Sequence, residues 1–367
     1  MIGLALSGGG SRAIAFHLGC LRALNETGLL DRIDVISTIS GGSVIGAYYA
    51  YTPGKPFREF EWDIRCFLAQ GFQRPILSQL WNPRNAYWIV ANAFAAGYDL
   101  GLERLLRHAP AFRGWPCRTD LFKNVLQGRV FQNLKMSSPR RREMDIVIGA
   151  CDLRTESAFR FGSAKSGSWR LGRMLNGDVD VAFAVAASAA YPLLLPALDR
   201  QWRFLQDGTE SERRVLLSDG GLYDNLGVQV LEPGRNPKYS LHTFPCDYLL
   251  VCNAGHGQVS GENVPARFLG RMATSFSMVH RRVGNAAMHR LHELQESNRI
   301  KGFILPYLGQ QDGELPSKPD RLITREEIIG YPTDFAAMPE KWINKISNRG
   351  EQLTRVLASC HLNKLLV

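Results

Sequence analysis

The chain opens with apolar runs of strand length that alternate with stretches of helical periodicity. Ile2–Leu6 and residues 33–39 are short apolar runs rich in β-branched side chains, which favour strands. Residues 13–25 repeat apolar side chains at intervals of three and four, and small apolar residues follow the second run; both patterns are typical of helices. Two successive strand–turn–helix units with apolar strands predict a parallel sheet covered by helices on both faces.

The remaining chain continues this pattern around a stretch of different character. Residues 51–144 mix Trp, Phe and Arg with short polar breaks, and we interpret them as a mainly helical insertion that ends at the basic turn 137–142. Later predicted elements are strands at 145–152, 157–163, 248–252 and 302–305, a hairpin of 202–205 with 215–217, and helices from 181, over 267–296 and near the C-terminus. This order predicts one α/β domain over residues 1–367, with three α/β/α layers, a central and mostly parallel sheet, and a C-terminal helical extension over 258–367.

Composition and charge narrow the class of protein. The chain has 367 residues, of which 45% are apolar and 21% charged, as in a folded globular protein. Its net charge of +10 favours anionic partners, which include nucleic acid, acidic substrates and anionic membrane surfaces. Charge alone does not choose among them.

Cysteine spacing and the N-terminal segment bear on location. The seven cysteines are scattered, with no CxxC pair and no Cys/His spacing of a zinc site, so we expect reduced, mostly buried thiols and no metal site. The N-terminus has no basic region before its apolar run, and no segment approaches about 18 uninterrupted apolar residues, so we expect neither a signal peptide nor a transmembrane helix. These features predict a cytoplasmic protein, with peripheral contact at membranes and export without a Sec signal left open.

Three loops carry the candidate chemistry. A glycine loop follows the first strand, a serine stands at the turn after the second, and an aspartate follows the predicted hairpin. If the three loops share the carboxyl edge of a parallel sheet, where ligands bind, the glycine loop offers backbone N–H groups for an oxyanion hole. The serine is then a nucleophile, the aspartate accepts its proton, and an arginine after the glycines braces the loop or the developing charge. These candidate residues are Gly8, Gly9, Gly10, Arg12, Ser40 and Asp219.

Two alternatives come from other functional classes. Gly8-x-Gly10-x-x-Ala13 after a strand fits the dinucleotide-binding fingerprint, so a nicotinamide-dependent Rossmann oxidoreductase is one of them. That fingerprint needs an acidic residue at the end of the second strand, whereas Asp31 and Asp34 precede this strand. The other alternative is an inactive module that binds lipid or nucleic acid.

Three short motifs in a fixed order carry a resemblance to a known family. Residues 8–12 read G-G-G-S-R, residues 38–42 read T-I-S-G-G, and residues 219–221 read D-G-G. They are similar to the oxyanion motif G-G-G-x-R/K, the nucleophile elbow G-x-S-x-G and the dyad motif D-G-G/A of the patatin-like phospholipases. Thr38 replaces the first glycine of the elbow, and Gly42 matches its last.

Weaker similarities support the same family. The helix segment F-H-L-G-C-L looks like the family's G-x-L-x-x-L continuation, and the segment A-A-S-A-A-Y-P before the hairpin is similar to its A-S-x-A-x-P segment. Cys151-Asp152-Leu153 resembles the family's T-D-L strand end. Residues 331–335 look like a terminal helix motif of bacterial members. The insertion at 51–144 matches nothing that we can name.

The resemblance implies a metal-independent serine esterase that hydrolyses phospholipid or lysophospholipid. Ser40 attacks the ester carbonyl, Asp219 accepts its proton, and water later releases the acyl group. The amides of the glycine loop hold the oxyanion, with Arg12 in support. The resemblance implies no cofactor, no metal and no nucleic-acid partner.

Three further polar residues have ordinary interpretations beside functional ones. His256 follows Ser40 and Asp219 in chain order, which leaves a Ser-Asp-His triad open, although we favour the dyad. We interpret Asp152 as a strand-end hydrogen-bonding residue and His17 as a core histidine.

The insertion also offers a candidate membrane surface. Its aromatic and apolar residues lie near arginines, as at the headgroup boundary of an anionic bilayer. The insertion is then a lid or an interfacial surface; the alternative is a set of helices packed on the sheet with a solvated basic face. The residues concerned are Trp81, Tyr87, Trp88, Ile89, Val90 and Phe94, with Arg84, Arg104 and Arg107.

Overall fold

The computed structural model describes residues 1–106, 112, 114–192, 194–257, 261, 267–319 and 321–362. Its strands are β1 (Ile2–Leu6), β2 (Val35–Ile39), β3 (Asp145–Asp152), β4 (Ser157–Gly162), β5 (Ser166–Ser168), β6 (Gly172–Met174), β7 (Leu198–Gln206), β8 (Thr209–Asp219), β9 (Tyr248–Cys252) and β10 (Gly302–Ile304). Its α-helices are α1 (Gly10–Glu26), α2 (Gly41–Ala50), α3 (Phe57–Gln70), α4 (Gln73–Ser78), α5 (Pro83–Leu106), α6 (Arg118–Leu126), α7 (Val181–Ser188), α8 (Gly221–Asp224), α9 (Phe268–Glu296) and α10 (Glu340–His361).

The strands form one mixed sheet in the order β10-β9-β1-β2-β3-β4-β5-β6-β7-β8. Neighbours from β10 to β3 are parallel, whereas those from β3 to β8 are antiparallel. Helices lie around this sheet, so the predicted α/β/α layering is confirmed. The parallel strands are the first five in this order, from β10 to β3. The antiparallel part is joined largely by connections of a few residues, which only antiparallel neighbours allow.

Strand β3 brings two distant parts of the chain together. One edge of β3 pairs with β4 from Val147 to Asp152. Its other edge pairs first with β2, up to Gly149 opposite Ile39, and then with β8, from Ala150 opposite Asp219. Because β2 is parallel to β3 and β8 is antiparallel, their carboxyl ends meet at this point.

Apolar side chains alternate between the two faces of the sheet. On β9, Leu250 joins the large core cluster that includes residues of α1, α2 and α10. Leu249 and Val251 join a second cluster on the opposite face, with Leu291 and Leu294 from the end of α9. The strand period of two therefore produces the layered arrangement.

The insertion and the C-terminal extension supply most of the surrounding helices. Residues 51–144 form α3 to α6 and short helical turns, and the described part of this stretch contains no strand of the sheet. In the basic turn, the Arg141 guanidinium donates to the carbonyls of Thr52 and Lys55 and stacks on the Tyr49 ring. The turn therefore holds neighbouring backbone. Among the described helices, none combines the length and apolarity needed to cross a membrane.

Two local expectations were wrong, and two short strands were missed. Helix α1 begins at Gly10, three residues earlier than its periodicity indicates, so Arg12 lies in its first turn and not in a loop. Residues 331–335 are irregular and not helical. The three-residue strands β5 and β6 were not predicted, because strands this short have too few side chains to display a period.

Candidate active site

Ser40 stands in a strained turn between β2 and α2. Its backbone has φ 51° and ψ −120°, a region that non-glycine residues rarely adopt and that costs about 1–3 kcal/mol. The residue precedes the first turn of α2 and is 7% exposed. Strain of this kind requires support from neighbouring structure, and at Ser40 that support is a hydrogen bond from its N–H to the Ser188 hydroxyl at 2.8 Å.

Asp219 ends β8 beside Ser40. It is 4% exposed, and burial raises its pKa to about 6, while hydrogen bonds from the Ser40 hydroxyl and the Gly221 N–H offset part of the rise. The Gly221 N–H donates to Oδ1 at 2.7 Å. A buried carboxylate beside a serine hydroxyl has the arrangement of a base and its nucleophile.

Ser188, the last residue of α7, is hydrogen-bonded to both the Ser40 turn and the turn after Asp219. Its hydroxyl contacts the N–H of Ser40 and the Ser43 hydroxyl, while its carbonyl accepts the Gly220 N–H at 3.2 Å. Sequence reasoning placed the surrounding segment near the site but gave Ser188 no role. Its position after a run of small residues was the available signal.

The glycine loop presents only part of its backbone to the site. The Gly8 N–H donates to the Asn225 carbonyl at 3.2 Å, so it is not available to an oxyanion, contrary to expectation. The N–H groups of Gly9 and Gly10, and that of Gly41 at the start of α2, have no acceptor among the described residues. Gly9 and Gly10 have φ of 144° and 58°, which only glycine adopts readily, and a Cβ on Gly10 would collide with the Asp334 carbonyl.

Arg12 fastens this loop to two other segments. The side chain is 3% exposed and donates to the Ala254 carbonyl at 3.2 Å and the Thr333 hydroxyl at 2.6 Å. Burial lowers its pKa to about 9. The Ser11 N–H adds a hydrogen bond to the Asp334 carbonyl at 2.7 Å. The expected bracing role therefore has a geometric basis, and residues 331–335 serve it.

His256 faces Arg12. Arg12 Nη1 contacts His256 Nε2; because a guanidinium only donates, this nitrogen accepts and the ring is neutral. Burial, and then the positive charges of Arg12, Arg281 and Arg325, lower the pKa of His256 to about 3. A ring with its lone pair engaged and cations around it is unsuited to remove a proton from Ser40.

The nucleophile, base and oxyanion-hole candidates named from the sequence line one cavity of about 430 Å³. Ser40 and Asp219 share its wall with the glycine loop, Arg12 and His256, and with Tyr191 and Leu194 after α7. Sequence reasoning missed the contribution of α9, which covers the cavity. The α9 residues concerned are Ser277, His280, Arg281, Gly284, Asn285 and Met288.

With this geometry in hand, comparisons with known proteins identify the family. A family model described as patatin-like phospholipase matches residues 4–231, which include the glycine loop, Ser40 and Asp219. The chain belongs to the patatin-like phospholipase family. The suspected resemblance is therefore confirmed, and hydrolase and lipid-metabolism functions are those of the family.

Curated patatin-like relatives match over limited parts. The chain is 52% identical over 52 residues to a patatin-like phospholipase domain-containing protein of Caenorhabditis elegans, which covers 14% of this chain and 4% of that protein. It is 26% identical over 241 residues to lysophospholipase NTE1 of Chaetomium globosum, covering 54% and 15%. This chain therefore spans only a small share of the curated relatives that it matches.

Solved structures extend the patatin-like likeness to the whole fold. Human GIVD cytosolic phospholipase A2 matches with a TM-score of 0.56 and 12% identity, covering 100% of this chain and 62% of that one. The same enzyme in complex with methyl γ-linolenyl fluorophosphonate matches with a TM-score of 0.55 and 15% identity, covering 100% and 59%.

The remaining elbow residues of the patatin-like motif are structural. Thr38 lies within β2, fully buried, opposite Leu6 and Ile148, so it keeps strand geometry where the family motif has glycine. Gly42 lies in the first turn of α2, where a Cβ would collide with the Leu6 carbonyl. Both residues fix how closely α2 approaches the sheet.

Two further polar residues, Asp152 and His17, take the structural roles expected of them, and a third, Asp34, lies away from the glycine loop. Asp152 is buried and accepts hydrogen bonds from the Leu216 N–H at 2.8 Å and the Thr155 hydroxyl at 2.7 Å. His17 lies in the core, with Nε2 at 2.9 Å from the Ser7 carbonyl. Asp34 accepts the Ile2 N–H at 2.6 Å at the start of β2, the end opposite Ser40, so it is misplaced for a dinucleotide ribose.

One cluster has a metal-ligand spacing that sequence reasoning did not find. The ligand atoms of His17, Cys20 and Cys252 lie within 4.8 Å of one another and are fully buried. The cluster is assembled from α1 and β9, and none of the three residues lines the cavity. The seven cysteines are free thiols.

The candidate membrane surface is partly as expected. Trp81, Tyr87, Val90 and Phe94 are exposed, whereas Trp88 and Ile89 are half-buried, with the Trp88 ring against Trp115. Arg107 lies outside the described residues, as does the side chain of Arg104.

Proposed function

We propose that this protein is a lipid acyl hydrolase that cleaves ester bonds through a Ser40–Asp219 dyad and an acyl-enzyme intermediate. The observation that carries the proposal is the placement of Ser40 beside Asp219. A serine in a strained elbow and a buried carboxylate line one cavity, beside backbone N–H groups that have no acceptor among the described residues. The names of the relatives, a phospholipase domain and a lysophospholipase, support the substrate class.

The proposed reaction proceeds in two steps. Ser40 Oγ attacks the ester carbonyl as its proton passes to Asp219, and the carbonyl oxygen becomes an oxyanion. Collapse of this intermediate breaks the ester bond, and the proton returns from Asp219 to the leaving alkoxide. Water then attacks the acyl-Ser40 ester with Asp219 as base, and fatty acid and free serine result.

Backbone groups stabilise the oxyanion in this proposal. The N–H groups of Gly9, Gly10 and Gly41 lie at the starts of α1 and α2, where the helix dipoles add positive potential. Preorganised donors of this kind account for a large part of catalysis in acyl transfer. Arg12 is a positioning residue, because its guanidinium is bonded to Ala254, His256 and Thr333 and holds the loop in place.

The electrostatics of Asp219 suit this role. A carboxylate with the ordinary pKa near 3.9 is a weak base for a hydroxyl proton, whereas burial brings its pKa to about 6, closer to neutral pH. General bases are most effective with a pKa near the working pH. The steps use side chains and backbone groups only, with no cofactor or metal ion.

We further propose that the substrate is a phospholipid or lysophospholipid, reached by peripheral contact with an anionic membrane. Helix α5 exposes Tyr87, Val90, Phe94 and Tyr98 at spacings of three and four, which place them on one helix face. Trp81, just before the helix, is 89% exposed. We call these five residues the aromatic stripe.

The aromatic stripe belongs to a segment that touches the cavity rim. The N–H groups of Phe72 and Gln73, at the start of α4, both donate to the Phe335 carbonyl at 2.9 and 3.2 Å, and Phe335 lines the cavity. With the net charge of +10, this supports residues 51–144 as an interfacial region. A cytoplasmic location stays a prediction.

Fatty-acid release from phospholipid vesicles tests the proposal. We expect release by the wild type, and none above background from Ser40→Ala or Asp219→Ala variants whose circular dichroism and unfolding match the wild type. Unchanged release in either variant contradicts the mechanism. Vesicle binding without release by the wild type favours the inactive lipid-binding module, and NAD(H) binding lost in Gly10→Val favours the oxidoreductase.

A further inference from the structure

One face of α9 forms a wall of the cavity. The lining residues 277, 280, 281, 284, 285 and 288 recur at helical spacing and therefore share one side of the helix. The C-terminal part of α9 is fixed to the sheet through Leu291 and Leu294. The helix therefore extends from the core out over the cavity that contains Ser40.

A cationic group on this wall has no counter-charge in the part of the chain that the structure describes. Arg281 forms no ion pair with any described carboxylate, and its charge acts on two polar side chains at the cavity, His256 and Tyr307. The carboxylates that line the cavity are engaged elsewhere. Asp219 Oδ1 accepts the Gly221 N–H at 2.7 Å, and Asp334 Oδ1 accepts the Ala336 N–H at 3.0 Å.

The His256 ring leaves the positive charge of Arg281 without a neutralising partner among the described residues. It is neutral and accepts from Arg12, so it cannot balance the charge of Arg281. Tyr307, whose pKa is raised by burial, keeps its proton and can donate a hydrogen bond. The cavity wall therefore includes a guanidinium and a hydroxyl donor that interact electrostatically.

We propose that Arg281, with the Tyr307 hydroxyl, forms a subsite for the phosphate of a glycerophospholipid or lysophospholipid whose ester lies at Ser40. The proposal rests on the proposed function. A lipid phosphate keeps a negative charge at neutral pH and presents oxygens that match the fork of a guanidinium. The subsite makes Arg281 a specificity-determining residue that favours phosphate-bearing over neutral lipid esters.

The neighbouring residue supplies a matched control. Arg282 is also exposed on α9 but does not line the cavity. Replacing either arginine removes one positive charge from the same helix and changes long-range attraction equally. A difference between the two variants therefore reports contact within the cavity.

The kinetic test compares two lipids that differ only in the phosphate, lysophosphatidic acid and the monoacylglycerol with the same acyl chain, in neutral detergent micelles. We expect Arg281→Ala to lower the ratio of their kcat/KM values about tenfold, since a hydrogen bond to a charged group is worth this much, mainly through KM for the phosphate-bearing lipid. Arg282→Ala leaves the ratio as in the wild type. An unchanged ratio in Arg281→Ala, or an equal fall in Arg282→Ala, overturns the proposal.

A binding test separates this inference from the proposed function. Hexadecylphosphocholine has the phosphate but no ester, and it is titrated calorimetrically into Ser40→Ala protein with and without Arg281→Ala or Arg282→Ala. About tenfold weaker binding in the Arg281 variant alone supports the subsite, even if no ester is ever cleaved. Hydrolysis with binding that does not depend on Arg281 leaves the proposed function intact and overturns the subsite. Binding of inorganic phosphate alone, with no Arg281-dependent gain for the alkyl phosphate, also contradicts a lipid subsite.

Discussion

Ser40 and Asp219 lie next to each other, because the carboxyl ends of β2 and β8 meet along the same edge of β3. Ile39 is opposite Gly149 and Asp219 is opposite Ala150, so adjacent positions on β3 set the separation of the two side chains. Sheet register therefore sets the position of the pair. Ser188 adds hydrogen bonds to the turn at Ser40 and to the turn that follows Asp219. This rigidity accounts for a strained serine that persists at the elbow.

The pKa of Asp219 predicts an acid limb in the pH profile. Asp219 accepts a proton only when ionised, and burial raises its pKa to about 6. Below that pH we expect kcat/KM for a neutral, water-soluble ester to fall about tenfold for each pH unit. Rates measured from pH 5 to 8 with an uncharged substrate check this, and a flat profile across that range contradicts it.

The same burial predicts that Asp219→Asn stabilises the fold. The carboxyl binds its proton more tightly in the folded than in the unfolded chain, so its contribution to the free energy of unfolding falls as pH rises from about 4 to 6. Asparagine keeps an oxygen for Gly221 without the charge. We expect a gain on the order of 2 kcal/mol at pH 8 that shrinks toward pH 4, with activity lost.

Urea unfolding at both pH values measures this effect. A variant that is no more stable than the wild type at pH 8, or a gain that does not depend on pH, is inconsistent with a buried, ionised Asp219.

Replacement of His256 distinguishes the dyad from a triad. Its Nε2 is engaged with Arg12, so we expect His256→Gln, which offers another acceptor, to lower kcat less than tenfold and to leave the acid limb in place. Loss of a triad base costs on the order of 1,000-fold or more. Steady-state kinetics check this, and a loss of kcat of that size favours a Ser-Asp-His triad over the dyad.

Gly10→Ala tests the glycine loop. A Cβ at this position suffers both the positive φ of 58° and a collision with the Asp334 carbonyl. We expect kcat to fall on the order of 100-fold, because displaced donors no longer meet the oxyanion. Gly28→Ala is the matched control, since Gly28 has φ 71° with no atom within 4 Å and bears only the backbone cost of about 1–2 kcal/mol. Equal effects of the two changes on kcat argue against the proposed oxyanion hole.

Features that depend on local sequence pattern could be predicted from the sequence. The ends of β1, β3 and β9 and the serine turn follow from apolar periodicity and glycine placement. The meeting of β2 with β8 depends on the pairing of both strands with β3, between residues that lie far apart in the chain, which no local pattern records.

The residues that form the wall of the site could not be predicted from the sequence either. Arg281 is one of many arginines until α9 is placed over the cavity, and the engagement of the Gly8 amide depends on Asn225, whose carbonyl reaches it only in the folded chain. Such roles arise from tertiary contacts and have no local signature.

The aromatic stripe predicts membrane binding. We expect the double change Trp81→Ala and Phe94→Ala to weaken co-sedimentation with phosphatidylglycerol-containing vesicles about tenfold or more, because two large side chains no longer enter the interface. Trp62→Ala is the control, since Trp62 is 67% exposed on α3 and outside the stripe. Equal binding of all three proteins contradicts an interfacial role for α5.

Covalent labelling with a fluorophosphonate in the presence of a chelator, followed by peptide mass spectrometry, tests directly whether Ser40 is the nucleophile. We expect one adduct, on Ser40, in the wild type, none in Ser40→Ala and strongly slowed labelling in Asp219→Asn. Labelling at another residue, or equal labelling of the wild type and Asp219→Asn, would contradict a serine nucleophile activated by Asp219.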